Sequence, residues 1–333
     1  MDRVEKDIQT VIEHKALFDC LYGKKVFVTG ATGLIGSMLL RTLYAANMQY
    51  GLRLKLIGQI RNREKAEKIF AGISIDYVYD YDVDCDFIIH TVSPTASKYF
   101  IEQPVETIKA SVESTMGILE TAKKKSAGIV YLSSMEEYGV PYTPGEVMTE
   151  DKVGIIDHLN VRSSYSESKR LCECLCVSYA SEYGVNVKIA RLAQTVGTGV
   201  PFTDNRMPIQ FARAVVESKD IVLHTEGKSI SNFVYLSDAI KGILLILSKG
   251  EKGQAYNVCN DKETRSVKEI AELVCSEVAD GKIKVLINKQ EGMGYAPDNT
   301  MKISADKLKG LGWNAEVRTT EAYKRLVDYL RRE

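Results

Sequence analysis

The sequence predicts an α/β fold in which helices cover both faces of a doubly wound parallel sheet, joined to a smaller C-terminal lobe. Three observations carry this. Short apolar runs alternate with long helical stretches, the pattern of a buried parallel sheet. The first apolar run ends in a glycine-rich turn that opens a helix. After about residue 196 the pattern changes to turn-rich stretches between shorter helices.

Taken in order, Val4, Ile8, Val11, Ile12 and Phe18 recur at helical spacing, so residues 3–21 are expected to form an amphipathic helix packed outside the domain. Lys25-Val26-Phe27-Val28-Thr29-Gly30 reads as a buried strand ending in a turn, followed by a helix over 34–46. Further strands are expected at 52–57, 87–90, 128–133 and 187–191, with helices over 105–124 and 165–183 between them. The turn-rich stretches 201–205, 227–232 and 292–297 are placed to build a lid over the sheet's carboxyl edge. There is no repeat, low-complexity segment or sharp linker, so domain limits are soft and chain crossings are expected.

Composition narrows the function classes. At 333 residues and 45% hydrophobic content the chain supports a sizeable core. Its 44 basic and 44 acidic residues cancel, so no net charge advertises nucleic acid or an anionic membrane. The charged N-terminus lacks the apolar core of a secretory signal, and no apolar run approaches the roughly 18 residues of a span. A cytoplasmic location is expected. Seven cysteines, an odd number scattered through the chain, fit reduced thiols. Within Cys172-Glu173-Cys174-Leu175-Cys176 a helix puts Cys172 and Cys176 on one face and Cys174 elsewhere, so no metal site is expected there.

Two motifs carry chemistry. Thr29-Gly30-Ala31-Thr32-Gly33-Leu34-Ile35-Gly36 places glycines where a Rossmann-like site needs a tight turn, backbone approach to a pyrophosphate and close helix–strand contact. This assigns 25–195 mainly to dinucleotide binding and 196–333 mainly to a substrate-binding lobe, with 1–24 an N-terminal extension. Tyr165-Ser166-Glu167-Ser168-Lys169 puts a phenol and an ammonium one helical turn apart. The lysine's charge favours the phenolate, so Tyr165 is expected to have a lowered pKa and to act as acid or base toward a hydroxyl.

With these motifs in place, the chain resembles the extended short-chain dehydrogenase/reductase superfamily over essentially its whole length. Ser134-Met135-Glu136-Glu137-Tyr138-Gly139 is similar to the stretch after the fifth strand of nucleotide-sugar epimerases, dehydratases and decarboxylases. The closest likeness is to UDP-glucuronate decarboxylases. It is carried by Ile89-His90-Thr91-Val92-Ser93-Pro94-Thr95-Ala96-Ser97, by Val161-Arg162-Ser163-Ser164-Tyr165 through Lys169-Arg170, by Ala190-Arg191-Leu192-Ala193-Gln194-Thr195-Val196-Gly197, and by Leu311-Gly312-Trp313. The resemblance implies that Ser134 hydrogen-bonds the reacting hydroxyl and Tyr165 removes its proton. Lys169 would then hold the cofactor ribose and tune Tyr165, with Glu136 a second acid/base; a plain turn carboxylate is the alternative for Glu136. It further implies a cofactor site of Gly30, Gly33, Leu34, Ile35, Gly36, Arg61, Thr91, Tyr165 and Lys169, substrate contacts at Ser93 and Gln194, and a homodimer.

The chain departs from that pattern at four places. Gln194 and Ser111 stand where Asn is usual, and Gly227-Lys228-Ser229-Ile230-Ser231-Asn232-Phe233 lacks the arginine expected near Ser231 to grip a nucleotide diphosphate. The second strand leads into Gly58-Gln59-Ile60-Arg61-Asn62-Arg63 without the acidic residue that binds an NAD ribose, so NAD is the expected cofactor with NADP open through Arg61 or Arg63. The expected activity is remodelling of a nucleotide-sugar through a transient keto-sugar, as a decarboxylase, dehydratase or epimerase. An NADPH-dependent keto-sugar or carbonyl reductase and a non-catalytic nucleotide sensor are the alternatives.

Overall fold

The computed structural model describes residues 2–93, 97–290 and 298–333. The chain opens on α1 (Arg3–Ile12), which begins at a reciprocal capping box: Asp2 accepts from the Glu5 N–H and Glu5 accepts from the Asp2 N–H, both at 2.7 Å. The helix ends at residue 12, and the remainder of the expected 3–21 helix is a 3-10 segment, Lys15–Leu21, that turns Phe18 and Leu21 into the core.

The next elements are β1 (Lys25–Thr29), α2 (Leu34–Tyr50), β2 (Lys55–Gln59), α3 (Arg63–Ile69), β3 (Asp76–Val78), β4 (Phe87–His90), α4 (Ser97–Glu102), α5 (Pro104–Lys125), β5 (Gly128–Ser134), β6 (Val147–Met148), α6 (Ser164–Glu182) and β7 (Val187–Leu192). The second strand thus runs later than the expected 52–57. Gly51 closes α2 in a left-handed conformation, and the chain needs residues 52–54 to return to the sheet. Beyond β7 come β8 (Gln194–Val196), α7 (Met207–Val216), β9 (Ile221–Leu223), β10 (Ile230–Tyr235), α8 (Leu236–Lys249), β11 (Ala255–Val258), β12 (Asn260–Ser266), α9 (Val267–Leu273), β13 (Val285–Ile287), β14 (Thr300–Ile303), α10 (Asp306–Lys309) and α11 (Thr319–Leu330). Stretch 227–232, read as a turn, is already strand from Ile230; stretch 292–297 lies outside the described residues.

Seven described strands form one all-parallel sheet in the order β11-β7-β5-β4-β1-β2-β3. Successive residues of β1 feed opposite layers. Val26 and Val28 pack with α2, α8 and α1, whereas Phe27 packs with α5 and α6. The strand order reverses between β1 and β4, and ligands of open parallel sheets bind outside the carboxyl ends at that point.

A second sheet, β12-β10-β14-β6 with β8 beside β10, stands over this edge. The chain crosses between the two parts repeatedly: β11 completes the large sheet after β8 and β10 have entered the small one. Helices α7, α9 and α11 give the second lobe its own core around Phe211, Ile270 and Leu326. No helix among the described residues is long and apolar enough to cross a membrane.

Candidate active site

The glycine turn sits at the switch point. Gly30 has φ +61°, and a Cβ there would meet the Thr91 hydroxyl at 2.8 Å. A Cβ at Gly36 would come within 2.4 Å of the Gly30 carbonyl oxygen, so helix and turn touch through glycine alone. Gly33 is exposed and forms the N-cap of α2 with no side chain to cap it. The first-turn N–H groups of Leu34, Ile35 and Gly36 therefore face the cleft without an intrahelical acceptor, at the positive end of a 17-residue helix. This cradle fits a dinucleotide pyrophosphate.

Thr91 closes the cradle from β4, its hydroxyl donating to the Thr29 carbonyl at 2.7 Å and its N–H to the Thr29 hydroxyl at 3.1 Å. Sequence reasoning missed Gln59. Its side-chain oxygen accepts from the Gly30 N–H at 3.2 Å and its carbonyl from the Ala31 N–H at 3.0 Å, bracing the turn from the end of β2. Arg61 lies just beyond, exposed and without an ion-pair partner among the described residues, while Arg63 is engaged by Glu67 at 2.8 Å.

β5 delivers Ser134 to the cleft, and the 3-10 turn Met135–Tyr138 follows at once. The turn is capped by Ser134 itself, whose hydroxyl oxygen accepts from the Glu136 N–H at 3.2 Å and keeps its proton for another acceptor. Helix α6 brings Tyr165 and Lys169 to the same place. The hydroxyls of Ser134 and Ser93 both stand beside the Tyr165 phenol. Ser93 Oγ is sheltered from solvent, whereas Gln194 lies exposed at the start of β8.

The electrostatics differ from expectation. Burial, then the Glu136 carboxylate, push the Tyr165 phenol above its usual range rather than below it, against a smaller opposing effect of the two serine hydroxyls. Lys169 does not correct this, because its ammonium donates to the Leu132 carbonyl at 2.8 Å and lies 5.7 Å from the Tyr165 ring centroid. Burial lowers its own pKa to about 8. Glu136 is likewise pushed up by burial, partly offset by Arg162, whose guanidinium lies 3.7 Å from the carboxylate. Behind the site His90 is fully buried and held neutral, its pKa lowered to about 3 by burial, with Thr29 Oγ1 2.7 Å from Nδ1.

A second feature invisible in sequence is Phe100 on α4, whose ring stacks flat on Tyr165 with centroids 4.4 Å apart. The Ser164 hydroxyl donates to the Phe100 carbonyl at 3.1 Å and locks α4 to the start of α6. Pro94, Thr95 and Ala96 of the adjoining stretch lie outside the described residues. Cys172 and Cys176 are buried and Cys174 exposed, and no group of three metal-ligating side chains converges among the described residues.

A glycine cradle at the switch point and a serine, tyrosine and lysine gathered at the end of β5 define a dinucleotide-dependent enzyme on a Rossmann-type sheet. Residues 26–259 match the model of the NAD dependent epimerase/dehydratase family, and the chain belongs to that family. It is 26% identical over 320 residues to UDP-glucuronic acid decarboxylase 1 of Xenopus tropicalis, covering 93% of this chain and 73% of that protein. To UDP-glucuronic acid decarboxylase 6 of Arabidopsis thaliana it is 29% identical over 314 residues, covering 89% and 86%. Among solved structures, UDP-glucose 4-epimerase of Thermotoga maritima with UDP-glucose superposes with a TM-score of 0.79 at 17% identity, covering 92% of this chain and 99% of that one. The dTDP-glucose 4,6-dehydratase of Bacillus anthracis with NAD gives 0.74 at 18%, covering 92% and 96%.

Proposed function

We propose that this chain remodels the sugar of a nucleotide-sugar through a transient keto-sugar, with loss of a carboxylate the favoured outcome. The observation that carries the reading is the convergence of Ser134, Glu136 and Tyr165 on one cleft, supported by the likeness to decarboxylases over nine-tenths of the chain. Ser134 donates its free proton to a sugar oxygen, and Tyr165 in its phenolate form takes the proton from that hydroxyl. Bound NAD supplies the hydride acceptor and later the donor. A ketone acidifies the neighbouring carbon and weakens its bond to a carboxylate. Carbon dioxide leaves with cleavage of that bond, and Glu136, with Arg162 beside it, delivers a proton to the carbon it leaves behind.

The pyrophosphate would rest on Gly33, Leu34, Ile35 and Gly36, with Thr91 behind the turn and Lys169 toward the ribose. Gln59, already engaged at the glycine turn, leaves the ribose without a carboxylate partner, and the unpaired Arg61 beyond it keeps NADP as a second candidate. Incubation with UDP-glucuronate, UDP-glucose and dTDP-glucose, read by mass spectrometry, tests the reaction. Loss of carbon dioxide supports the favoured outcome, while loss of water or an isobaric product reassigns the chain to dehydratase or epimerase. No change in any sugar rejects the reading.

We further propose a cytoplasmic homodimer. Val105, Ile108 and Met116 on α5, with Leu171 and Val177 on α6, remain exposed along two helices that pack side by side, the kind of apolar stripe a second copy would cover. Light scattering on the purified chain reads this directly.

A further inference from the structure

The structure offers a guanidinium where the sequence lacks one. Ser231 on β10 pairs directly with Arg265 on the antiparallel strand β12. Residues opposite each other in an antiparallel pair project from the same face, with Cβ atoms roughly 4.5–5.5 Å apart. Arg265 therefore stands on the face that a side chain at 231 would occupy.

That face is also the one bearing Gln194. Gln194 pairs in parallel with Phe233, and Phe233 shares its side of β10 with Ser231 by the two-residue period of a strand. Burial along β10 alternates accordingly, with Asn232 and Val234 buried and Ser231 and Phe233 half-buried. Because β8 follows β7 after a single residue, this face adjoins the carboxyl edge of the large sheet.

Arg265 is unusual in having nothing to hold. Its Nε is shielded from solvent and has no hydrogen-bond partner, and Glu269 acts on it only through space. The two acidic side chains nearest along the chain are committed elsewhere. Glu263 accepts from the Thr319 N–H and hydroxyl at 2.5 and 2.6 Å, and Glu269 accepts from the Ser266 N–H at 2.6 Å to cap α9. A shielded Nε–H without an acceptor is costly unless a ligand supplies one. The planar guanidinium fork suits a phosphate.

We infer that Arg265 grips the phosphates of the nucleotide-sugar, the cation having moved one strand across from position 231. This rests on the nucleotide-sugar reading above. It makes Arg265 a substrate-binding residue, with Gln194 on the same face toward the sugar.

Titration calorimetry on the full-length chain tests it, using UDP and uridine, with dTDP, GDP and CDP as further probes. In the parent, the preferred nucleoside diphosphate binds well above its nucleoside. Arg265→Gln lowers the diphosphate affinity about 10- to 100-fold, as loss of a charged hydrogen-bonding pair does, and leaves the nucleoside unchanged. Adding Ser231→Arg to that variant recovers most of the loss. Should Arg265→Gln not fold, Ser231→Glu in the otherwise intact chain neutralises the guanidinium from across the strand and produces the same loss. Diphosphate affinity within twofold of the parent in folded Arg265→Gln, or in Ser231→Glu, overturns the assignment while leaving nucleotide-sugar binding in place. A parent that binds none of the four nucleoside diphosphates overturns the nucleotide-sugar reading, and the role of Arg265 with it.

Discussion

The Phe100 ring lies parallel to the Tyr165 ring at 4.4 Å and seals one side of the phenol from water. Since burial is the leading cause of the raised Tyr165 pKa, Phe100 sets the pH at which the phenolate forms. Phe100→Ala admits water and lowers that pKa, so the acid limb of the pH–kcat profile moves to lower pH. A limb that stays in place would assign the burial to other neighbours. The cavity also destabilises the fold by about 3–5 kcal/mol, visible as a lowered urea midpoint.

Tyr165→Phe removes the proposed proton-transfer group and keeps the stacking. Turnover falls by roughly 10²–10⁴-fold or more, while NAD affinity by calorimetry stays near the parent's. Substantial residual activity would place the base elsewhere.

Glu136→Gln keeps size and hydrogen bonding but removes proton transfer next to Arg162. The first oxidation survives and the following step stalls, so a keto-sugar accumulates and is trapped by borohydride for mass spectrometry. A rate within a few-fold of the parent, with nothing trapped, would make Glu136 a turn carboxylate.

Lys169 carries a penalty in the folded state, because its pKa falls from the usual 10.5 to about 8. The depressed value means that protonation disfavours the fold: the penalty is complete below about pH 8, fades as pH rises toward about 10.5, and vanishes above it. Lys169→Met is therefore more stable than the parent at pH 7 by a few kcal/mol, since each tenfold loss of proton affinity on folding costs roughly 1.4 kcal/mol. Most of that advantage is gone by pH 10. Urea melts at the two pH values measure it, alongside the expected loss of activity.

Asp7 is buried without exposure and joins four partners: Arg3 at 2.8 Å, Arg325 at 3.2 Å, Thr198 at 3.0 Å and Tyr235 at 2.6 Å. One carboxylate thus ties α1 to β10, α11 and the loop after β8. Asp7→Ala strands the Arg3 guanidinium and the Tyr235 phenol and leaves Arg325 only Glu321, at 2.6 Å, and the cost is about 3–5 kcal/mol. A denaturation midpoint within error of the parent's would show that α1 is an ornament to the lobe.

Much of the site is legible in the sequence because its logic is local. Gly30, Gly33 and Gly36 stand between an apolar strand and a helix, the context a dinucleotide turn requires, and Tyr165 and Lys169 meet because a helix returns to the same face after four residues. Helices α2, α5 and α6 can be read to within a few residues of their ends, since each is a long stretch lying between short apolar strands. Strands β3 and β11 cannot: Asp76–Val78 is only three residues long, and Ala255–Val258 enters the sheet through pairing with β7 across more than sixty residues. The raised Tyr165 pKa is hidden for a similar reason, because motif spacing says that Lys169 is near while only packing shows its ammonium turned to Leu132.

By itself, then, the sequence determined the class of fold, the glycine turn and the placing of Tyr165 and Lys169 one helical turn apart, all of which follow from the local patterning of strands, turns and helices. Tertiary structure alone decided the stacking of Phe100 on Tyr165, the approach of Arg162 to Glu136, the four-way hold on Asp7 and the pairing of Arg265 with Ser231. Each of these depends on register and packing between separate segments, and a one-residue slip in a strand reverses which face a side chain occupies.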